Sequence, residues 1–454
     1  MTRRRIVLGT IAAVLLLCEL CACSPPLARS PTPPPTVLPT AELTPTTPGI
    51  ETLDPTGIEV HLWHSMTGDR ESALWAIADQ FEQGSAYGIR VRVEFHHDLH
   101  KEALAAIAAG TPPDLIVAPC EQIIEYASLD AVVVLEQYIE SSTYGLTTLE
   151  QSDIWPYVLR GSCNPDPNGQ PLGLLFDSQM VVMLYNAEWL EQLEAEAPPR
   201  TWDEFRVLCN AARDTNSRTW GYAAAVDGSI VVNWILGLGG TLGDPDTGGV
   251  ALDSSEAMAS LSVLQDLLRD ECAYCASEPG SDLDDFSSQT VLFNFGTTAR
   301  LRDYVAQTKT EDGYAFGWDI AAVPHLTEAP VVSVQGSTLS ILRTKPQQQL
   351  AAWLFLKWLL RPRSDAQWVL ASDALPMLRS TKYMSQVEAY IEEHPQYATA
   401  CDLQAYAQSE PALPHWGSIR SLLGEAAAAV CQQETDTASA LAAADVAADR
   451  LLAR

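Results

Sequence analysis

Ile58-Glu59-Val60-His61-Leu62-Trp63 opens the stretch whose pattern decides the fold. It is a short, β-rich run. Asp69 to Gln83 follows, with Leu74, Ile77, Ala78 and Phe81 at helical spacing and charges opposite them, and Gly88 breaks the pattern. Arg90 to Phe95 alternates Arg/Val/Arg/Val/Glu/Phe, the period of a half-buried strand. Lys101 to Ala109 is again helical and stops at Gly110, with Pro112 and Pro113 beyond. Leu115 to Val117 is the next buried strand. Two consecutive β-α-β units predict a parallel sheet with right-handed crossovers, and hence an α/β fold.

Similar signals resume near residue 174. Leu174-Leu175-Phe176 and Met180 to Tyr185 read as two strands. Thr201-Trp202-Asp203-Glu204 is a capping box that opens a helix through Ala212. Ser254 caps a helix running to Arg269, and Lys345-Pro346 opens another, with Leu350, Trp353, Leu354 and Trp358 on its buried side. The Ala-rich stretch from Ser418 to Leu452 reads as helical.

Before residue 58 the chain is of another kind. Arg3 to Arg5 precede the apolar run Ile6 to Leu17, which is short for a bilayer span and reads as a secretory signal over residues 1–22. Leu20-Cys21-Ala22-Cys23 is similar to a bacterial lipoprotein box, with Cys23 as the expected lipidated residue. Residues 24–57 hold ten of the chain's 29 prolines among Thr and Ser, so 23–57 is expected to be an extended tether.

The 27 basic and 58 acidic residues give a formal charge of −31, which argues against a nucleic-acid partner and against docking of the body on an anionic membrane. A hydrophobic share of 47% excludes disorder of the whole chain. Seven cysteines lie beyond the signal and the lipoprotein box: Cys120, Cys163, Cys209, Cys272, Cys275, Cys401 and Cys431. Seven is odd, so at least one is expected to be free. Cys272-Ala-Tyr-Cys275 has no second pair to complete a zinc ribbon, so a structural disulfide or buried thiols are expected there.

Five segments then line up with one family. Val60-His61-Leu62-Trp63-His64-Ser65-Met66-Thr67-Gly68 resembles a "FWHSM-x-G" opening. Ala109-Gly110-Thr111-Pro112-Pro113-Asp114-Leu115 resembles "AGTPPDV". Leu184-Tyr185-Asn186 with Pro199-Arg200-Thr201-Trp202-Asp203-Glu204-Phe205 resembles "YYNK … PPKTWDEF". Gly249 to Ser254 and Gly336-Ser337 through Trp353 complete the series. In this order they are similar to the extracellular solute-binding lipoproteins of ABC importers, in the carbohydrate branch with maltose- and glycerol-3-phosphate-binding proteins. Two elements depart. Phe286 to Phe293 lacks the glycine and lysine of "F-x-x-G-K-A-A-M", and the arginine that glycerol-3-phosphate members carry is not evident around Pro414-His415-Trp416-Gly417.

The resemblance implies a two-lobed periplasmic-binding-protein fold of type II, each lobe a mostly parallel sheet flanked by helices. Lobe one is expected over 58–175 plus 325–378, and lobe two over 177–323 plus 385–454. Crossing strands would hinge near Phe176, Pro324 to Val332 and Pro376.

Ligands in open α/β sheets bind outside the carboxyl ends of the strands. That rule selects Trp63, His64 and Ser65 after the first strand, and His96, His97 and Asp98 after the second. It selects Pro119 and Cys120 after the third, and Asp177, Ser178 and Gln179 at the first crossover. Gln335, Gly336 and Ser337 would supply amides and a hydroxyl at the second crossover. A sugar needs an aromatic face and planar polar groups. Trp63 is a stacking candidate, as is Trp234, read with Asn233 as part of a glycine-rich loop, and Trp318 and Trp416 are weaker ones. Trp353, Trp358 and Trp368 read as core. His61, His64, His96, His97 and His100 raise a metal-binding rival, in which two or three imidazoles converge.

The expectation is a non-enzymatic, monomeric receptor without cofactor. It would capture a mono- or oligosaccharide between two lobes, close by hinge bending and dock on a membrane permease. It would be extracytoplasmic, held to the membrane by a lipid anchor alone. Glycerol-3-phosphate or a glycerophosphodiester is the alternative ligand, and a lipid-anchored hydrolase the alternative class. Neither a G-x-S-x-G elbow, an H-E-x-x-H pair nor a P-loop occurs.

Overall fold

Strand β1 (Glu59–His64) buries alternate residues, with Val60, Leu62 and His64 inward. Helix α1 (Asp69–Gly84) buries Leu74, Ile77, Ala78 and Phe81, the residues whose spacing predicts it. Strand β2 (Arg90–Phe95), helix α2 (Leu99–Ala109), strand β3 (Leu115–Pro119) and helix α3 (Cys120–Ser128) follow. Gly110 stops α2 at φ 73°, a left-handed conformation that glycine adopts without a Cβ clash. These elements belong to a computed structural model that describes residues 49–453, except 160–162, 164–169, 226, 244–248, 277, 279 and 312. The expected signal, Cys23 and most of the tether lie outside the described residues. Among the described residues no helix is long and apolar enough to cross a membrane.

The two strand runs expected after residue 174 are one long strand, β4 (Leu174–Asn186). The polar residues Asp177 to Gln179, which suggested a break, sit inside it. Then come α4 (Trp202–Ala212), β5 (Trp220–Ala224), α5 (Gly228–Gly237), α6 (Ser255–Arg269), β6 (Ala273–Cys275), β7 (Val291–Thr297) and α7 (Leu301–Thr308). The C-terminal part adds β8 (Trp318–Ala321), β9 (Val332–Ile341), α8 (Pro346–Leu359), α9 (Pro362–Ser372), β10 (Ala407–Ser409), α10 (Trp416–Cys431) and α11 (Thr437–Leu452). The Thr201 capping box is present, with Thr201 and Glu204 reciprocally bonded. The Ala-rich end is two helices, because Gln432 to Asp436 interrupts it.

The main sheet runs β2-β1-β3-β9-β4-β7-β5-β6. Within each half the pairing is parallel: β1 with β2 and β3, and β5 with β6 and β7. Two antiparallel strands join the halves. β4 pairs with β9 from Leu174 to Met180 and then with β7 from Val181 to Tyr185. β9 pairs with β3 through Ser337 to Ile341 and with β10 through Val332 to Val334.

Each half has its own core. On the first side Leu62, Leu74, Phe81, Phe176, Trp353, Phe355 and Trp368 pack together. On the second, Trp202, Phe205, Tyr222, Trp234, Phe293 and Phe295 form an aromatic cluster. Burying side chains of this size stabilises by about 1.5–3 kcal/mol each. Trp353 and Trp368 are wholly buried and Trp358 partly so, as their helical spacing predicts. A disulfide joins Cys275 at the end of β6 to Cys431 at the end of α10. The C-x-x-C is thereby split. Cys272 is a buried thiol beside Cys209, and Cys120, Cys163 and Cys401 are thiols as well.

Candidate functional site

Two cavities lie where the parallel strands end. The larger, about 650 Å³, opens at the carboxyl ends of β5, β6 and β7 and the first turn of α5. The smaller, about 250 Å³, lies at the end of β3, beside the crossing strands and the first turn of α10. Gln179, Gln335 and Arg420 line both. Gln179 and Gln335 are cross-strand partners on β4 and β9, so the two crossing strands place their amides side by side.

A hydrogen-bond chain runs through this junction. Ser229, in the first turn of α5, accepts from Gln335 Nε2 at 3.0 Å. Gln335 Oε1 accepts from Arg420, whose Nη1 also donates to Glu410 Oε2 at 2.7 Å. The same Glu410 oxygen accepts from Trp416 Nε1 at 2.7 Å. Burial pushes the Glu410 carboxyl above the usual range, and Arg420 pulls it back. On the far wall of the large cavity, Asp282 is 1% exposed. Its Oδ2 accepts from Asn294 Nδ2 at 3.0 Å, Tyr304 OH at 3.2 Å and Arg300 Nη1 at 3.3 Å. Among the described residues Glu410 Oε1 and Asp282 Oδ1 have no hydrogen-bond partner. Asp227 caps α5 by accepting from the Ser229 N–H at 2.6 Å.

Both cavity arginines are thus matched to a buried carboxylate, while Asp227, Glu278 and Glu121 add further negative charge to the lining. The walls present carboxylates, carboxamides, hydroxyls and guanidinium edges, the groups that exchange hydrogen bonds with hydroxyls in both directions.

Of the residues selected from sequence, Pro119, Cys120, Gln179, Gln335, Gly336, Ser337 and Trp416 line these cavities. Trp416 is in the first turn of α10 and nearly enclosed, its indole N–H engaged by Glu410. The other candidates lie elsewhere. Trp63 stacks on His96 with ring centroids 3.9 Å apart and donates to Glu94 at 2.7 Å. His64 is wholly buried; its Nδ1 accepts from the Met66 N–H at 3.1 Å, and burial disfavours its protonated form. Ser65 is exposed on the loop between β1 and α1. Asp177 pairs with Arg70 at 3.0 Å, and Ser178 is buried with its hydroxyl toward Leu375 O at 3.4 Å.

Trp234 and Asn233 correct the sequence reading. They lie in helix α5, not in a glycine-rich loop; only Leu238-Gly239-Gly240 beyond the helix is loop. Trp234 is wholly enclosed by Trp202 and Phe295, so no ligand reaches its face. Asn233 is structural: its Oδ1 accepts from the Ser333 N–H at 2.5 Å and its Nδ2 donates to Val331 O at 3.3 Å. Trp318 likewise lies in β8 and packs in a core. The histidines do not converge. His61 faces Glu94, His96 faces Glu102 and His100 faces Tyr126 and Glu125. Among the described residues no three His, Cys, Asp or Glu side chains are placed to hold an ion.

Arg300, Asp282, Glu410 and Arg420 were not singled out from sequence. Arg420 stands four residues after Trp416, one helical turn along the same face. Arg300 follows the carboxyl end of β7, where the strand-end rule applies.

A family model for bacterial extracellular solute-binding proteins matches residues 76–399. The chain belongs to that family. Its members act outside the cytoplasm, and the relatives are binding proteins, not enzymes. The chain is 22% identical over 386 residues to the sn-glycerol-3-phosphate-binding periplasmic protein UgpB of Yersinia pestis, covering 80% of this chain and 83% of that one. It is 22% identical over 200 residues to the maltotriose-binding protein of Pyrococcus abyssi, covering 44% and 41%. Among solved structures, the sugar-binding protein MalE of Xanthomonas citri has a TM-score of 0.74 at 17% identity, covering 87% of this chain and 97% of that one. The cyclic α-maltosyl-1,6-maltose binding protein of Arthrobacter globiformis has 0.71 at 18%, covering 87% and 99%. The likeness shows the fold expected from the sequence, a two-lobed type II periplasmic-binding-protein fold.

Proposed function

We propose that this solute-binding protein captures a mono- or oligosaccharide in the cavities at the strand ends and delivers it to an ABC permease, itself performing no turnover. The observation that carries this is the junction of Gln179, Gln335 and Arg420, on the two crossing strands and α10, open to both cavities. Ligand contacts here, with Gly336, Ser337 and Trp416 nearby, would draw on both sheet halves. A ligand bound to both halves favours the closed state by its differential affinity. Lobe one comprises 58–175 plus 325–378 and lobe two 177–323 plus 385–454, with hinges near Phe176, Pro324 to Val332 and Pro376. The body is a monomer tethered by 23–57 to a lipid on Cys23.

Glycerol-3-phosphate is the second reading, favoured by the likeness to UgpB over 80% of the chain. Against it, Arg300 and Arg420 are already matched by Asp282 and Glu410, and the surplus carboxylates repel a phosphate. A thermal-shift screen over sugars, glycerol-3-phosphate and zinc decides. A ligand that binds only the folded chain raises its melting temperature by mass action. Sugars are expected to shift it, the phosphate and zinc not. A shift with phosphate alone, or hydrolysis of an oligosaccharide by the pure protein, would overturn the reading.

A further inference from the structure

Cys120 and Cys163 both line the smaller cavity, yet nothing in sugar capture uses a thiol. They come together through the sheet. Thr338 on β9 is the register partner of Ala118 on β3. Cys163 Sγ lies 3.1 Å from Thr338 Oγ1. Cys120 follows Ala118 by two residues, where β3 gives way to α3, and packs against the same small core as Cys163. The proximity of Cys163, together with burial, pushes the Cys120 thiol well above its usual range. The two sulfurs therefore share one wall, and the family places this wall outside the cytoplasm, where thiols oxidise.

We infer that Cys120 and Cys163 are a disulfide-forming pair that cross-links the wall of the smaller cavity in the exported protein. The reaction needs a disulfide oxidant, either a thiol–disulfide oxidoreductase or a small-molecule disulfide. The Cys120 thiolate attacks one sulfur of that disulfide and expels the other as a thiolate. The Cys163 thiolate then attacks the Cys120 sulfur of the mixed disulfide and releases the second thiolate. Two thiols lose two electrons and two protons, and the oxidant disulfide becomes two thiols. Cys120 meets the oxidant because it is partly exposed, whereas Cys163 is buried; its raised pKa keeps the thiolate scarce and so slows this step without changing the product. Cys209 and Cys272 also lie side by side, but both are wholly buried and closed to an oxidant once the chain has folded.

The test is peptide mapping of the full chain, expressed into an oxidising extracytoplasmic compartment and purified without reductant. The denatured protein is alkylated with iodoacetamide, digested and read by mass spectrometry. A peptide pair joined through Cys120 and Cys163 is expected, and reduction before alkylation should separate it. Recovery of both residues as alkylated thiols from the unreduced sample overturns the inference. The variant Cys120→Ser gives a second readout: Cys163 should become alkylatable, adding one thiol per chain to the unreduced count. A gain of no thiol in that variant also overturns it. Neither readout requires a ligand, so the outcome is independent of sugar capture.

Discussion

The Arg420 guanidinium stands 2.7 Å from Glu410 Oε2, so the cation that lines both cavities arrives already paired with a carboxylate that is 6% exposed. Replacing Arg420 with Ala leaves that carboxylate buried without its counter-ion, bonded still by the Trp416 N–H. Breaking a buried pair in this way costs about 3 kcal/mol. The variant should also lose most of any sugar-induced thermal shift, because Gln335 loses the donor that orients it. Its stability should fall as pH rises above the usual carboxylate range, since a carboxyl raised by burial binds its proton more tightly in the folded chain. Denaturant midpoints at pH 5 and pH 8 measure this; equal losses at both would count against the pairing.

Gly336 has room for no side chain. A Cβ there would stand 2.0 Å from the Asp177 carbonyl oxygen on the neighbouring crossing strand. Backbone cannot swing away as a side-chain tip can. Gly336→Ala should therefore destabilise by about 1–3 kcal/mol and splay β4 from β9. Urea unfolding reads the first effect, and loss of amide protection at Gln179 and Gln335 the second.

Asp365 on α9 is wholly buried and accepts from the Met377 and Leu378 N–H groups and the Thr381 hydroxyl, beside the expected hinge at Pro376. Burial pushes its carboxyl up to about 7. The folded state then holds a proton that the unfolded state has released, so this group's contribution is complete below the ordinary carboxylate range and is lost as pH rises toward 7. Asp365→Asn should flatten that part of the stability–pH curve. A slope identical to the parent's would show that another group is responsible.

Asn233 satisfies the buried N–H of Ser333 at the start of β9. Asn233→Leu keeps the bulk and removes the acceptor. A loss of about 1–3 kcal/mol is expected, the cost of a buried unpaired donor. A neutral result would mean that the strand finds another partner.

The first β-α-β units were legible because burial on one side of each element imposes a period, as in Val60/Leu62 and Leu74/Ile77/Phe81. Caps were legible because Thr201, Ser254 and Pro346 act within one turn. The site was legible only in part. Gln335, Gly336 and Ser337 were found at the second crossover, and Trp416 as an aromatic that could stack on a sugar. Arg420 and Glu410 were not, because their meeting with Gln335 depends on where α10 docks, a long-range relation that no local period encodes. Trp234 misled for a similar reason. Gly237, Gly239 and Gly240 suggested an open loop, but α5 is buried on every side, so its composition carries no face signal.

The sheet order places β3 beside β9, and β9 is made only after the whole second half of the sheet. Until Val332 to Ile341 arrives, β3 and the first part of β4 have open edges that can pair with other chains. A fragment ending before β9 is therefore an aggregation hazard, not a one-lobed receptor, and no single cut isolates either half.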